Sequence, residues 1–329
     1  MLPPADISGH TREIMSRPAR DCRVDNIRAV LIFLVVVGHL IPFCAKNDRG
    51  FLYNLIFSFH MPAFVFLNGL YARYNGRKLL KRFIIPYIVF ELLFYYFQTY
   101  LLHEGFTLQL TTPYYTLWYL MTIASYYCLT ELIQTKSRDK AIKAVGCAFL
   151  LSLLVGFDDS VGTYLSLSRT IAFLPFFLLG YYHSLLFTPK TVEEFHTPHV
   201  LTCIIIIMLA LEFVLNTLHF PFTALLYCYS YFSSGSILIR MLSEASGLCW
   251  IYILFRFIPN KKIWFLTDLG QNTMPVYLLH GFIVKTIWHF KVLHYDTFLN
   301  NMLAIAIAVP IVFLLGNKYT YKALQKLFY

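Results

Sequence analysis

A chain of 329 residues with 58% hydrophobic and only 13% charged side chains is too poor in charge for a soluble globular surface, where roughly 25% is usual. Repeated apolar stretches override the prior of about two soluble domains that this length would otherwise carry. The net charge of +10 does not describe a nucleic-acid partner, because the cations fall in short runs between apolar segments, as they do in polytopic membrane proteins.

The first 24 residues carry Arg12, Arg17, Arg20, Asp21 and Arg23, with no apolar core and no small-residue cleavage site. They read as a cytoplasmic tail, which leaves residues 25–329 as one membrane domain. About ten spans follow, at roughly 27–45, 52–72, 83–102, 114–133, 141–157, 167–187, 200–218, 236–258, 272–290 and 299–317, each near the length needed to cross a bilayer. The eighth is interrupted by Arg240, Ser243, Glu244 and Ser246, and the tyrosine-rich piece before it, Tyr227 to Tyr231, reads as re-entrant or interfacial. With the N-terminus inside, twenty Lys/Arg fall on the cytoplasmic side, against only Lys46, Arg49 and Lys291 outside. That asymmetry predicts an all-α polytopic bundle with both termini cytoplasmic. The scattered cysteines form no Cys-x-x-Cys pair and no disulfide framework.

The first span holds the strongest signal. Arg28 and His39 are eleven residues apart on an apolar helix, so they share one face about 16 Å apart along the axis. Ionisable side chains inside a membrane are costly and mark functional sites by default. Asp25, one turn before Arg28, can orient it. The second span enters as Ser58-Phe59-His60-Met61-Pro62, which puts His60 at about the depth of His39. Pro62 predicts a kinked or locally unwound helix there. No His-Glu-x-x-His motif or third close ligand accompanies the histidines, so no metal is expected.

Arg73, Arg77, Lys78, Lys81 and Arg82 cluster between the second and third spans. The cluster is either a topological signal or a grip for a multiply anionic cytoplasmic donor. No Walker loop or Gly-x-Gly-x-x-Gly accompanies it. The fourth span opens on Tyr114-Tyr115-Thr116-Leu117-Trp118-Tyr119-Leu120, an interfacial belt or a sugar-stacking platform. Further polar groups fall in apolar surroundings at Glu91, Arg169, Glu212, Glu244, His280 and Lys285.

Taken together, these residues resemble the acyltransferase-3 family of integral membrane acyltransferases over nearly the whole chain. The likeness rests on Arg-x10-His (Arg28, His39), Phe-His-Met-Pro (Phe59 to Pro62), Leu-Trp-Tyr-Leu (Leu117 to Leu120) and the segment Leu269 to His280. The opening Arg20-Asp21…Asp25-Asn26…Arg28 looks most like the fucose 4-O-acetylase-like branch. Two positions depart from the family pattern: Asn68-Gly69 stands for Ser-Gly, and Lys78-Leu79-Leu80-Lys81-Arg82 stands for Arg-x-x-Arg.

The resemblance implies transfer of an acetyl or other short acyl group from acetyl-CoA to a hydroxyl of a cell-envelope glycan or lipid-linked sugar, in the inner membrane of a bacterium. His39 would be the base or a transient acyl carrier, with His60 supporting it or polarising the carbonyl, and Asp25 orienting Arg28. Arg28, Arg73, Arg77, Lys78, Lys81 and Arg82 would hold the coenzyme A donor, and Trp118, Tyr119 and His280 the acceptor. The rival reading is a glycan-precursor transporter or flippase, which would favour paired broken helices and internal repeats. Neither stands out here.

Overall fold

A computed structural model of the chain describes residues 21–41, 50–187, 198–217, 227–232, 236–292 and 297–328. The expected tail cations Arg12, Arg17 and Arg20, and Lys46, Arg49 and Lys190, lie outside the described residues. Among the described residues every regular element is helical. In chain order these are α1 (Cys22–Leu40), α2 (Gly50–Gly69), α3 (Gly76–Leu79), α4 (Ile85–Tyr96), α5 (Trp118–Leu129), α6 (Arg138–Leu154) and α7 (Leu167–Tyr181). There follow α8 (His183–Leu186), α9 (Pro198–Thr217), α10 (Ile237–Phe257), α11 (Trp264–Gln271), α12 (Thr273–His289), α13 (Thr297–Leu315) and α14 (Lys318–Phe328). A helix lies in each expected apolar segment. Among the described residues, five stretches are long and apolar enough to cross a membrane: Gly50–Gly69, Arg138–Phe157, Tyr164–Tyr181, Ile237–Phe257 and Phe298–Leu315.

Helix α1 is the hub. It is apolar nearly all round, the composition of a buried helix, and it packs against α2, α11, α12 and α13. Val24, Ile27 and Leu31 join an apolar cluster with α2, α5, α6 and α7. Ala29, Ile32, Val35 and Val36 join a second cluster with α12 and α13. The outward faces of α6, α9, α10 and α13 expose Leu150, Ile206, Phe213, Leu238 and Leu314, as lipid-facing surfaces do.

Close backbone approach holds two joints together. On α2 and α7, a Cβ on Gly69 would lie 2.3 Å from the Phe177 carbonyl oxygen, and one on Gly180 2.1 Å from that of Phe66. The first turns of α1 meet α11 across Gly270. There Asn26 Nδ2 donates to the carbonyls of Pro259 (3.1 Å) and Lys261 (3.0 Å), while Thr267 Oγ1 donates to Asn26 Oδ1 at 2.7 Å.

Local structure departs from the sequence reading at three places. No unwinding occurs at Pro62: α2 is continuous from Gly50 to Gly69. Gly247 of α10 packs against the ring, where a Cβ would lie 3.1 Å from Pro62 Cβ. The basic loop is largely a helix. Asn75 caps α3 by accepting from Lys78 N at 2.9 Å, and a π-helical stretch, Leu80–Ile84, carries Lys81 and Arg82 into α4. The segment after the last expected span is also a helix, α14, with Lys318, Lys322 and Lys326 spaced for one face and Phe328 buried near Phe90.

Candidate functional site

The first helix supplies the wall around which the site is built. Arg28 and His39 both line one cavity of 1240 Å³, as their shared stripe requires. At the Arg28 end, Asp25 Oδ1 lies 3.7 Å from Arg28 Nη1, and Asp25 Oδ2 accepts from Gln271 Nε2 at 3.1 Å. The carboxylate is thus held between its own helix and α11, and it orients the guanidinium, which lies 5.7 Å from the centroid of the Tyr71 ring. Arg73, Lys78 and Arg82 line the same cavity. Lys78 and Arg82 are four residues apart and share a helix face, whereas Arg77 and Lys81 belong to the next face round and do not line it. Of the six cations expected to hold a donor, four therefore reach the cavity: Arg28, Arg73, Lys78 and Arg82.

His39 sits farther along the cavity, 5.0 Å between ring centroids from Tyr115 and 5.2 Å from His280. His280 is fully buried and is not part of the cavity wall. It was expected among acceptor contacts, and it stands instead behind His39. Its Nδ1 lies 2.8 Å from the Val276 carbonyl oxygen, which can only accept, so Nδ1 carries the proton. Neutral His280 then offers Nε2 as an acceptor, and the His39 Nδ1–H donates to it at 3.3 Å. The consequence is a defined tautomer of His39: its proton is on Nδ1 and its lone pair on Nε2.

His60 also lines the cavity, and Phe57 borders both histidines, its ring centroid 6.1 Å from that of His39 and 4.8 Å from that of His60. Its Nδ1 donates to the Ile56 carbonyl at 2.6 Å. In its neutral form His60 therefore has only an acceptor left at Nε2 and cannot polarise a carbonyl.

The aromatic stretch at the start of α5 forms the opposite wall. Trp118 and Tyr119 line the cavity, and Tyr119 Oη accepts from Asn68 Nδ2 at 2.5 Å. Asn68, the residue that departs from the family's Ser-Gly, thus ties α2 to α5. Tyr115 precedes the helix at φ 49°, a left-handed conformation that costs a bulky residue about 1–3 kcal/mol. Its hydroxyl is buried without a hydrogen-bond partner among the described residues.

Two cations given no role in the sequence reading also line the cavity, Arg169 and Lys285. Arg169 lies 4.7 Å over the Trp118 ring and donates to Cys228 Sγ at 3.2 Å. Lys285 Nζ is surrounded by the rings of Trp288 (4.8 Å), Tyr114 and Tyr115 (both 5.4 Å). The signal for both was visible, a lone cation in an apolar helix, but only the fold turns them toward His39. The remaining buried acids serve packing away from the cavity wall. Glu91 accepts from Tyr114 N (2.5 Å), Glu244 from Ser152, and Glu212 from Ser246 (3.1 Å).

The arrangement joins a cationic mouth, a histidine with a free lone pair and an aromatic wall in one chamber. No curated protein and no solved structure matches the chain. A family model of acyltransferase-3, described as an acyltransferase domain, matches residues 23–316, which span nearly every element described above, and the chain belongs to that acyltransferase family.

Proposed function

We propose that the protein is an integral membrane O-acyltransferase of the fucose 4-O-acetylase-like branch, moving an acetyl or other short acyl group from cytoplasmic acyl-CoA to a hydroxyl of a cell-envelope glycan or lipid-linked sugar. In this reading it spans the cytoplasmic membrane of a bacterium about ten times, with both termini in the cytoplasm. The observation that supports it is the single cavity running from Arg28, Arg73, Lys78 and Arg82 to His39. Phosphates held at the cationic end leave the extended pantetheine arm to carry the thioester along the roughly 16 Å to His39.

The chemistry follows from the tautomer. His39 Nε2 takes the proton of the acceptor hydroxyl as its oxygen attacks the thioester carbonyl. Negative charge gathers on the carbonyl oxygen, and the Tyr115 hydroxyl is the neutral donor offered to it. The C–S bond breaks, the ester C–O bond is complete, and the imidazolium returns its proton to the coenzyme A thiolate. His280 takes no part in bond making; it holds the His39 ring by accepting from Nδ1.

Two results test this reading. Purified protein should release coenzyme A from acetyl-CoA, slowly without acceptor, whereas a flippase should not. Neutralising Lys78 and Arg82 together (Lys78→Gln, Arg82→Gln) should raise the KM for acetyl-CoA by on the order of 10- to 100-fold, since each removes a charge-assisted phosphate contact. The matched pair Arg77→Gln, Lys81→Gln should leave KM near wild type. Equal effects from the two pairs would make the cluster a topological signal only. Separately, Tyr115→Phe should lower kcat about 10²- to 10³-fold with little change in KM, as loss of an oxyanion donor does.

A further inference from the structure

The far half of the cavity has an unbalanced charge. Helix α12 starts beside Asp25, through Gln271 at its entrance, and reaches His39 at His280. Lys285, five residues on, lies beyond the reacting histidine by about 7.5 Å along the helix. It is linked to His39 through one ring, Tyr115, which borders both. Arg169 borders the same chamber over Trp118. The two carboxylates of the cavity wall, Asp21 and Asp25, are both at the start of α1, at the opposite end.

Lys285 has no carboxylate within 4.0 Å among the described residues. Glu104, the acid whose field reaches it, pairs with His289 at 3.4 Å. Three aromatic faces replace only part of the hydration that an ammonium group loses there. An ammonium held in this way, at the wall of a chamber and one ring from the base, is poised for an anion that arrives with the substrate.

We infer that the acyl acceptor is an anionic saccharide, whose carboxylate or phosphate is taken by Lys285, with Arg169 contributing to the field, while its sugar face lies on the aromatic wall of Trp118, Tyr115 and Trp288. The inference rests on the acyltransferase reading and adds the acceptor's charge to it. The donor phosphates occupy the other end, so the two anions do not compete: one enters past Arg28, the other past Lys285, and they meet at His39. The charged group fixes which hydroxyl stands against Nε2, a geometric selection that a neutral sugar would not receive from these cations.

The test uses the full chain in detergent and three probes: methyl α-D-glucoside, methyl α-D-glucuronide and α-D-glucose 1-phosphate. Binding is read from tryptophan fluorescence, because Trp118 and Trp288 both line the site. At least one charged probe should bind about 10- to 100-fold tighter than the neutral one, the size of a hydrogen bond to a charged group. Which of the two does so distinguishes a sugar acid from a sugar phosphate. Lys285→Met should erase that preference by lowering only the charged probe's affinity, and Lys285→Arg should retain it, which separates lost charge from misfolding. Equal affinities in the wild type, binding of none of the three, or a preference that survives in Lys285→Met would each overturn the inference. Coenzyme A release from acetyl-CoA is measured in parallel. If it is absent while the charge preference is present, the acyltransferase reading fails and the anion site stands; the reverse result leaves the enzyme and removes the site.

Discussion

His39→Ala should lower transfer by about 10²–10⁴-fold while the protein still folds, because a positioned general base contributes that much to a rate. The side chain borders the cavity, so truncation leaves space that water can enter instead of a sealed void in the core. Specific activity per folded molecule, with folding judged by detergent gel filtration, is the deciding quantity. Near-normal activity in well-folded His39→Ala would refute the mechanism. The companion substitutions are at His280, a positioning residue. His280→Leu removes the acceptor for His39 Nδ1–H and should lower kcat about 10²-fold through a misplaced ring, with the KM for acetyl-CoA unchanged. His280→Gln can set an amide oxygen near the former Nε2 and should recover part of that loss. A purely structural His280 would give two equally impaired proteins, with activity falling in proportion to the amount folded.

The parts of the site that were legible in the sequence are those that one helix decides. Arg28 and His39 are rare residue types in an apolar helix, and the helical repeat alone puts them on one wall. His60 was legible as a cavity residue for the same reason of depth, but not the bond from its Nδ1 to the Ile56 carbonyl, which leaves it only an acceptor. The donor cluster was half legible. Its charge could be read, yet sorting Lys78 and Arg82 from Arg77 and Lys81 required knowing that the segment is helical. The Asn75 cap that starts the helix does not stand out in a run of charged residues. His280 was seen as a buried polar group, but its contact with His39 was not legible, because a partner 241 residues away is chosen by tertiary packing. Nothing local marks Tyr115 as left-handed or Lys285 as ringed by aromatics; both follow from how the loop before α5 meets α12. Pro62 shows a different limit. Its missing N–H removes one hydrogen bond, yet α2, packed against α1, α7 and α10, stays a continuous helix through it.

Gly270→Ala should be among the most destabilising single-methyl additions available in this chain. The added Cβ would stand 1.7 Å from the Asp25 carbonyl oxygen, 2.4 Å from its carbonyl carbon and 2.9 Å from its Cα. These are backbone atoms of the hub helix, so no side chain can rotate away, and α11 must separate from α1. Separation pulls on the bonds from Asn26 to Pro259 and Lys261, on Thr267 to Asn26, and on Gln271 to Asp25. Overpacking alone costs typically about 1–3 kcal/mol, and each strained hydrogen bond adds up to about 1.5. A total of at least about 3 kcal/mol is expected, read as a lower midpoint of thermal unfolding followed by gel filtration. The damage should also reach function, since Asp25 orients Arg28: surviving folded protein should show a raised KM for acetyl-CoA. Gly146→Ala is the control, because a Cβ there meets nothing within 4 Å and α6 gains helix propensity. It should be neutral or slightly stabilising. If Gly270→Ala matches Gly146→Ala in both midpoint and KM, then α1 and α11 do not meet backbone to backbone, and Asp25 is not what holds Arg28 at the cavity mouth.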